Sequence, residues 1–320
     1  MNKITARRFA LALCLSLFGA CQTTKLKNGD PVNDSPDATA EANKSKPYDP
    51  HMWDKGPPDA LGAYLAELDK SMRAWTNLTL TAGSRGDQKK TNLLQDDLKR
   101  RVRTRQSELI DALASGPPRN RAIAAGALGF SASKDVQGAL IIALADKDTE
   151  VVQNAAMSLA LLQDRDTPLE PLLEIMLHSN NGQARSNACY AVRTILEAGA
   201  PATDEVIKAG RQSLIDTEPF VQAQSALILA IAKDGESVLD LAELLHDREP
   251  LVLSAATQAL VRLGRNDSKL LGPTARALVV GLGTCPEDQR PYILKNLVLL
   301  SGHNFADDMK AWAEWSQRLP

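Results

Sequence analysis

Residues 148–179 read DTEVVQNAAMSLALLQDRDTPLEPLLEIMLHS, and this stretch decides the fold. From Val151 to Leu162 the apolar side chains recur three and four places apart, the period of a helix face. A short polar turn follows. A second apolar run then fills 168–179, so the unit is a pair of helices joined by a tight connection. Asp148 and Thr149 stand where a helix start needs a capping oxygen.

The same unit recurs on both sides. A small residue followed four places later by Leu or Val appears at Ala124/Leu128, Ala155/Leu159, Ala188/Val192, Ser225/Leu229 and Ala256/Leu260, at spacings of 31, 33, 37 and 31 residues. Each element lies in one helical stretch (120–130, 151–162, 184–196, 221–232, 252–264), and each is followed by a second (135–146, 168–179, 203–216, 237–247, 270–282). Leading into the next unit are Asp148-Thr149-Glu150-Val151, Asp216-Thr217-Glu218-Pro219 and Asp247-Arg248-Glu249-Pro250, whose Asp, Thr and Pro cap or start a helix. The small residue lets neighbouring first helices approach and the Leu fills the gap. Stacked units bury a core that none could form alone.

This pattern resembles the HEAT-repeat family, whose motif runs Asp-x-x-(Val/Pro)-(x)-Val-Arg-x-x-Ala-x-x-Ala-Leu. The resemblance covers roughly 118–301, with five repeats and a degenerate sixth at 291–297. The motif's Arg is matched at Arg121 and Arg185 and replaced by Val152, Gln222 and Leu253. Neither the landmarks of tetratricopeptide repeats nor the TPLHxA of ankyrin is present. The resemblance implies an all-α, right-handed α-solenoid of about five to six helix pairs, with a partner bound along the concave face lined by second helices. Polar positions left outward there are Glu170, Glu174, Lys208, Arg211, Asp240, Glu243 and Arg276. Their mixed signs suggest a protein surface rather than a polyanion, against the alternative that they are simply solvated.

The C-terminal stretch SGHNFADDMKAWAEWSQRLP (301–320), with a capping segment over 302–320, resembles the closing segment of bacterial HEAT arrays. Trp312 and Trp315 fit either aromatic anchors for a partner or, as expected here, a cap over the last repeat's core.

At the other end, Lys3, Arg7 and Arg8 precede an apolar run, FALALCLSLF, and then Gly19-Ala20-Cys21. This is the plan of a signal peptide over 1–20, too short for a stable membrane span. Leu17-Phe18-Gly19-Ala20-Cys21 resembles a bacterial lipobox, with Phe18 where Leu is usual. The resemblance implies that Cys21 becomes the mature N-terminus and carries covalent lipid, palmitate among its acyl chains. Gln22 in place of Asp is similar to the pattern sorted to the outer membrane. Residues 21–58, rich in Asn, Asp, Lys, Ser and Pro, are expected to form a disordered tether, with Trp53 a loose aromatic near the domain start.

Between tether and repeats, 59–117 forms an N-terminal helical segment. Leu61, Tyr64, Leu65, Leu68, Met72 and Trp75 mark one amphipathic helix; Leu94, Leu98, Val102, Leu109 and Leu113 mark a second, longer one, separated from the first by the polar stretch TAGSRGDQKK. Lys99, Arg100, Arg101, Arg103 and Arg105 form the densest basic run. Asp96, Asp97 and Glu108 lie at helical spacing to pair with it, and no aromatic side chains are interleaved for base stacking.

The chain has 320 residues, 44% apolar and 4% aromatic, with a formal net charge of -2 and a pI near 6.1, a composition suited to packed helices and lacking the basic footprint of a nucleic-acid binder. The cysteines offer neither a zinc site nor a disulfide framework. Cys189 reads as a small buried hydrophobe and Cys285 as a possible exposed thiol. Asp146-Lys147-Asp148-Thr149-Glu150 begins like a calcium loop, but Val151 and Met157 stand where Gly and Glu are required. His51, His178, His246 and His303 are scattered, the middle pair at the ends of second helices.

The expectation is therefore a non-catalytic, lipid-anchored envelope protein facing periplasm or exterior. It binds or scaffolds envelope proteins, or serves as accessory subunit of an envelope complex, without nucleic acid, metal or cofactor beyond the lipid on Cys21. The rival is a HEAT-like enzyme or ligand-binding protein of the lyase kind, for which no catalytic constellation is visible.

Overall fold

A computed structural model describes residues 59–320; the signal-like segment, Cys21, the polar stretch up to Pro58 and Trp53 lie outside them. The described residues form an all-α solenoid. Its helices are α1 (Asp59–Thr81), α2 (Arg85–Thr104), α3 (Gln106–Ser115), α4 (Pro118–Leu128), α5 (Gln137–Ala143), α6 (Thr149–Leu162), α7 (Glu170–His178), α8 (Gly182–Glu197), α9 (Asp204–Ser213), α10 (Pro219–Ala232), α11 (Val238–Glu243), α12 (Pro250–Asn266), α13 (Ser268–Thr284), α14 (Arg290–Ser301) and α15 (Met309–Gln317).

The first helices α4, α6, α8, α10, α12 and α14 pack side by side in one row. The second helices pack beneath them, with α3 against α5, α7 against α9, and α13 against both α11 and α15. All ten side chains of the small-x-x-x-Leu/Val elements, from Ala124 and Leu128 to Ala256 and Leu260, are fully buried. The repeat period is thus the period of close approach between first helices. The apolar core runs as two clusters that meet in α10, which gives Val221 and Ile228 to one and Ala226 and Leu229 to the other. The first helices α6 and α10 end alike. Gln163 (φ 50°) and Lys233 (φ 60°) adopt the left-handed conformation and return their N–H to Leu159 and Leu229, the Leu of each element.

Polar side chains lock the first-helix row in register. Asn154 Nδ2 donates to Ala122 O (2.9 Å) and Ser158 Oγ to Ala125 O (2.6 Å), both from α6 onto α4. One step on, Asn187 Nδ2 donates to Gln153 O (3.1 Å). The two motif arginines act at the turns. Arg121 donates to both oxygens of Asp146 (2.8 Å each) and to Gly116 O (3.0 Å); Arg185 donates to both oxygens of Asp216 (2.7 and 2.8 Å) and to Ser179 O (2.9 Å). Each guanidinium therefore joins the turn before its repeat to the turn after it. Gln222, which replaces the motif Arg in α10, keeps half of this device through Nε2 donating to Asp216 O (2.6 Å).

These contacts shift the turn alignment by two residues. The counterpart of Asp216 is Asp146, not Asp148: Asp146 accepts from the Asp148 N–H (2.8 Å) as Asp216 accepts from the Glu218 N–H (2.8 Å) and Asp247 from the Glu249 N–H (2.7 Å). Asp148 instead caps α6 by accepting from the Glu150 N–H.

The lead-in also differs from its expectation. The stretch expected as a polar break contains the start of α2, nucleated by a capping box in which Ser84 and Asp87 satisfy each other's backbone N–H groups. The longer helix breaks at Arg105 (φ -123°, ψ 32°), freeing α3 to lie under α4 as a second helix. Arg105 bonds Glu108 and lies 4.4 Å from the Tyr64 ring centroid, while Arg100 pairs with Asp97 (2.5 Å) and Arg103 donates to Ser131 O (2.8 Å). Arg101, Arg103 and Arg105 thus tie α2 to α1 and the first repeat, while Lys99 and Arg100 pair with Asp96 and Asp97 within α2.

At the far end α14 and α15 extend the two rows. Trp312 is fully buried, its Nε1 donating to Ala306 O (2.9 Å), with Phe305 and Trp315 edge-on at 4.8 and 5.8 Å. Trp315 is only partly buried.

Candidate functional site

The second helices cover the core on one side and leave a stripe of side chains outward on the other. On α7, Glu170, Glu174 and His178 lie four residues apart and all are exposed, with His178 Nε2 3.9 Å from the Glu174 carboxylate. On α9 the outward positions are Lys208, Arg211 and Gln212; on α11, Leu239, Asp240 and Glu243; on α13, Arg276 and Val280. The seven residues singled out from the sequence thus share the outward side of one helix row.

Of their three cations, one is paired with carboxylates inside the fold. Arg211 donates through Nε and Nη2 to both oxygens of buried Asp234 (2.7 and 2.5 Å) and lies 2.8 Å from Glu236, which holds its guanidinium firmly in the charged form. Arg276 Nη1 lies 3.4 Å from Ser316 O and 3.3 Å from Leu319 O, so it fastens the C-terminal segment to α13. Lys208 makes no ion pair among the described residues and borders an open groove of about 620 Å³ with Ile207, Arg211, Lys233 and Glu236. Glu170, Asp240 and Glu243 likewise make no ion pair among the described residues, and Glu174 has only His178 beside it.

Four apolar side chains missed by the sequence reading stand in the same stripe. Ile142 on α5, Ile215 just after α9, Leu239 on α11 and Val280 on α13 are 77, 85, 78 and 59% exposed. Uniformly apolar runs such as ALIIALA hide which member faces water. In Leu239 the signal was present, because the position precedes Asp240 and follows buried Val238.

The first-helix side is more closed. Trp75, Ile123, Gly126, Phe130 and Met157 border a cavity of about 30 Å³ between α1, α4 and α6. The Trp75 Nε1–H is buried there without an acceptor, and a space of this size holds a water. Arg193 is buried in α8, donates to Gln224 Oε1 (2.5 Å) and Glu197 (2.6 Å), and lies 5.1 Å from the Tyr190 ring centroid. It bridges α8 to α10.

Neither of the two cysteines among the described residues is arranged for reaction. Burial pushes the Cys189 thiol up to about 12, with its Sγ 3.4 Å from Ser225 Oγ. Cys285 is partly buried rather than exposed, and burial raises it too. Among the described residues no three His, Cys, Asp or Glu side chains converge as metal ligands would, and no helix is long and apolar enough to cross a membrane.

A repeated helix pair, a small-x-x-x-Leu/Val element buried at each first helix, and an arginine tying successive turns are the features that a family comparison can test. Residues 106–193 match the family of HEAT repeats. The match runs from α3 into α8 and supports a HEAT-repeat domain; it includes both turn-bridging arginines, Arg121 and Arg185. No curated protein sequence matches the chain. Similar solved structures include an engineered protein (21% identity over 69% of this chain and 94% of that one, TM-score 0.43). Others are the complex of CpcE and CpcF of phycocyanin lyase from Nostoc sp. PCC7120 (18%, 83% and 100%, 0.38) and human deoxyhypusine hydroxylase in complex with glycerol (17%, 78% and 92%, 0.35).

Proposed function

We propose that this protein is a lipid-anchored, extracytoplasmic interaction module that holds an envelope protein against its second-helix row, as a scaffold or as accessory subunit of an envelope complex, and that it is not a catalyst. The observation that carries the docking face is that four of the six large apolar side chains left exposed among the described residues, Ile142, Ile215, Leu239 and Val280, fall on or just after the second helices α5, α9, α11 and α13, set among charged side chains. Exposed large aliphatic side chains recurring along one face mark an interaction surface better than scattered ones do. The anchor rests on the sequence alone: a basic start, an apolar run and Leu17-Phe18-Gly19-Ala20-Cys21, with Gln22 favouring the outer membrane, facing periplasm or exterior. Several acyl chains, at about 0.8 kcal/mol per buried methylene, would hold it there.

Two experiments test the reading. Cys21→Ser should abolish acyl labelling and leave an uncleaved or unlipidated form outside the acylated pool; unchanged labelling overturns the anchor. A photo-cross-linking residue at Leu239 should give a reproducible envelope-protein adduct that the same residue at Lys295, on the first-helix row, does not give. Equal adducts from both positions, or none from Leu239, overturn the docking face.

A further inference from the structure

We infer that the crevice between α1, α4 and α6 is a binding site for a small neutral molecule that presents an acceptor oxygen, a site separate from the second-helix row. α1 packs against α2 and α4. The space of about 30 Å³ left between it, α4 and α6 is bordered by apolar Met72, Trp75, Phe130, Met157 and Leu161 and by the bare backbone of Gly126. Trp75 is 3% exposed, and its Nε1–H reaches no acceptor. A buried donor left without a partner is a cost to the fold, relieved by a group that brings the missing acceptor. The polar side chains beside it do not: Asn154 and Ser158 are turned to Ala122 O and Ala125 O instead.

The walls choose the kind of molecule. A neutral donor amid apolar surface matches an oxygen of the carbonyl or ether kind, whereas an ion would lose its water there without a counter-charge. The cation that borders the space, Arg73, already bonds Asp69 (2.9 Å), and Glu150 adds a carboxylate at the exposed rim, so an anion meets like charge. A cation brings no acceptor for Trp75. Size sets the rest. A space of about 30 Å³ takes about two waters, or the carbonyl end of a ligand. The body of such a ligand lies outward against Met72 and Leu161, both partly buried, and the flexible thioether of Met72 adapts to it.

Gly126 offers a way to close the site without disturbing the fold. A Cβ there would meet Met72 Sδ at 3.7 Å and Asn154 Cβ and Cγ at 3.8 Å, ordinary contacts, so Gly126→Ala occupies the space and leaves its walls in place. Alanine also suits a helix better than glycine, and the thermal melt should not fall.

The test uses the full chain carrying Cys21→Ser, isotope-labelled at the indole nitrogens of Trp53, Trp75, Trp312 and Trp315, with Trp75→Phe identifying the Trp75 signal. Cyclopentanone is the probe. Methylenecyclopentane has the same shape without the oxygen, and cyclopentanecarboxylate carries a charge. Titrated with cyclopentanone, the Trp75 indole N–H should move downfield and saturate while that of Trp312 stays. Binding of the other two compounds should be weaker by about fivefold or more, as should that of cyclopentanone to Gly126→Ala. Trp75→Phe, followed by ligand-observed saturation transfer, should cost the ketone the same factor and spare the hydrocarbon. Leu239→Asp, on the second-helix row, should change nothing.

Four results overturn the inference. The Trp75 signal stays put and exchanges magnetisation with water alone, so the space holds only water. It lies upfield and unmoved, so the N–H is turned against the Phe130 ring, whose centroid is 5.0 Å away. Ketone and hydrocarbon bind equally, so the donor selects nothing. Leu239→Asp abolishes ketone binding with the melt unchanged, so the probe sits on the second-helix row.

Discussion

Arg185 shows how tightly one side chain holds successive turns, and Asp216→Ala measures it. Three donor groups of this guanidinium are engaged, two on Asp216 and one on Ser179 O. Removing the carboxylate leaves a cation of 13% side-chain exposure with a single carbonyl as its strong acceptor. Breaking a fully buried pair costs about 3–5 kcal/mol; because both partners still touch solvent, roughly 2 kcal/mol is the better figure. The Glu218 N–H also loses its acceptor, about 0.5–1 kcal/mol more. The expected total of about 2–3 kcal/mol lowers Tm by roughly 4–10 °C in a domain of this size. The pH dependence gives an internal control. Burial works to raise the Asp216 carboxyl, yet hydrogen bonds from Arg185 and the Glu218 N–H prevail and hold it below the usual range. A group whose folded value is depressed contributes fully above its unfolded value, near 4 for Asp, and loses that contribution as pH falls through the folded value. Urea midpoints of parent and variant should therefore be well separated at pH 7 and converge below about pH 4. Indistinguishable midpoints at pH 7, or a gap that stays constant into acid, would refute the reasoning.

Other substitutions read the packing elsewhere. A Cβ at Gly129 would lie 2.7 Å from Ser158 Oγ and 2.8 Å from Ser158 Cα, so Gly129→Ala should force α4 off α6 and lower the urea midpoint by about 1–3 kcal/mol of stability; an unchanged midpoint would contradict this. Trp312→Ala removes a fully buried ring and its bond to Ala306 O, and should cost about 3–5 kcal/mol, with an early loss of helix by circular dichroism as α15 leaves α13. With its thiol pushed up to about 12, Cys189 should resist maleimide at pH 8 in the native state and label fully in denaturant, as read by peptide mass mapping. Native labelling as fast as that of Cys285 would show that α8 opens readily.

The repeats were legible because their physical cause is compositional. A first helix can approach its neighbour only where the residue is small, and Ala124, Ala155, Ala188, Ser225 and Ala256 announce that approach in sequence and are fully buried in the fold. The break at Arg105 was not legible. Thr104, Arg105 and Gln106 continue a helical period, and the chain turns there for tertiary reasons, namely Glu108 on one side of the guanidinium and the Tyr64 ring on the other. The turn alignment failed for a different reason. Asp146 and Asp148 stand two residues apart and both make Asx-type contacts, so only the partner, Arg121, reveals which one is the counterpart of Asp216. In the candidate site the outward positions followed from periodicity, but which charges are engaged within the fold did not. The groups that neutralise Arg211 and engage Arg276 lie 23 and 40 or more residues away in sequence.

Under the docking face proposed above, stability and recognition fall on different helices, and this gives the exposed aliphatic side chains of the second helices their meaning, while Leu93 on α2 and Leu299 on α14 lie outside that face. Register depends on the first-helix row and the turn arginines, where side chains are buried and each hydrogen bond spans about one repeat, as in Asn154 to Ala122 and Ser158 to Ala125. In a solenoid each repeat is stabilised by its immediate neighbours, so nothing in that system requires a leucine at 239 or an isoleucine at 215. Substitution of such exposed positions is worth within about ±0.5 kcal/mol to the fold. An aliphatic side chain kept 78 or 85% exposed therefore answers to no folding demand. On the docking face proposed above, the demand that accounts for it lies outside the chain, on the surface of a partner.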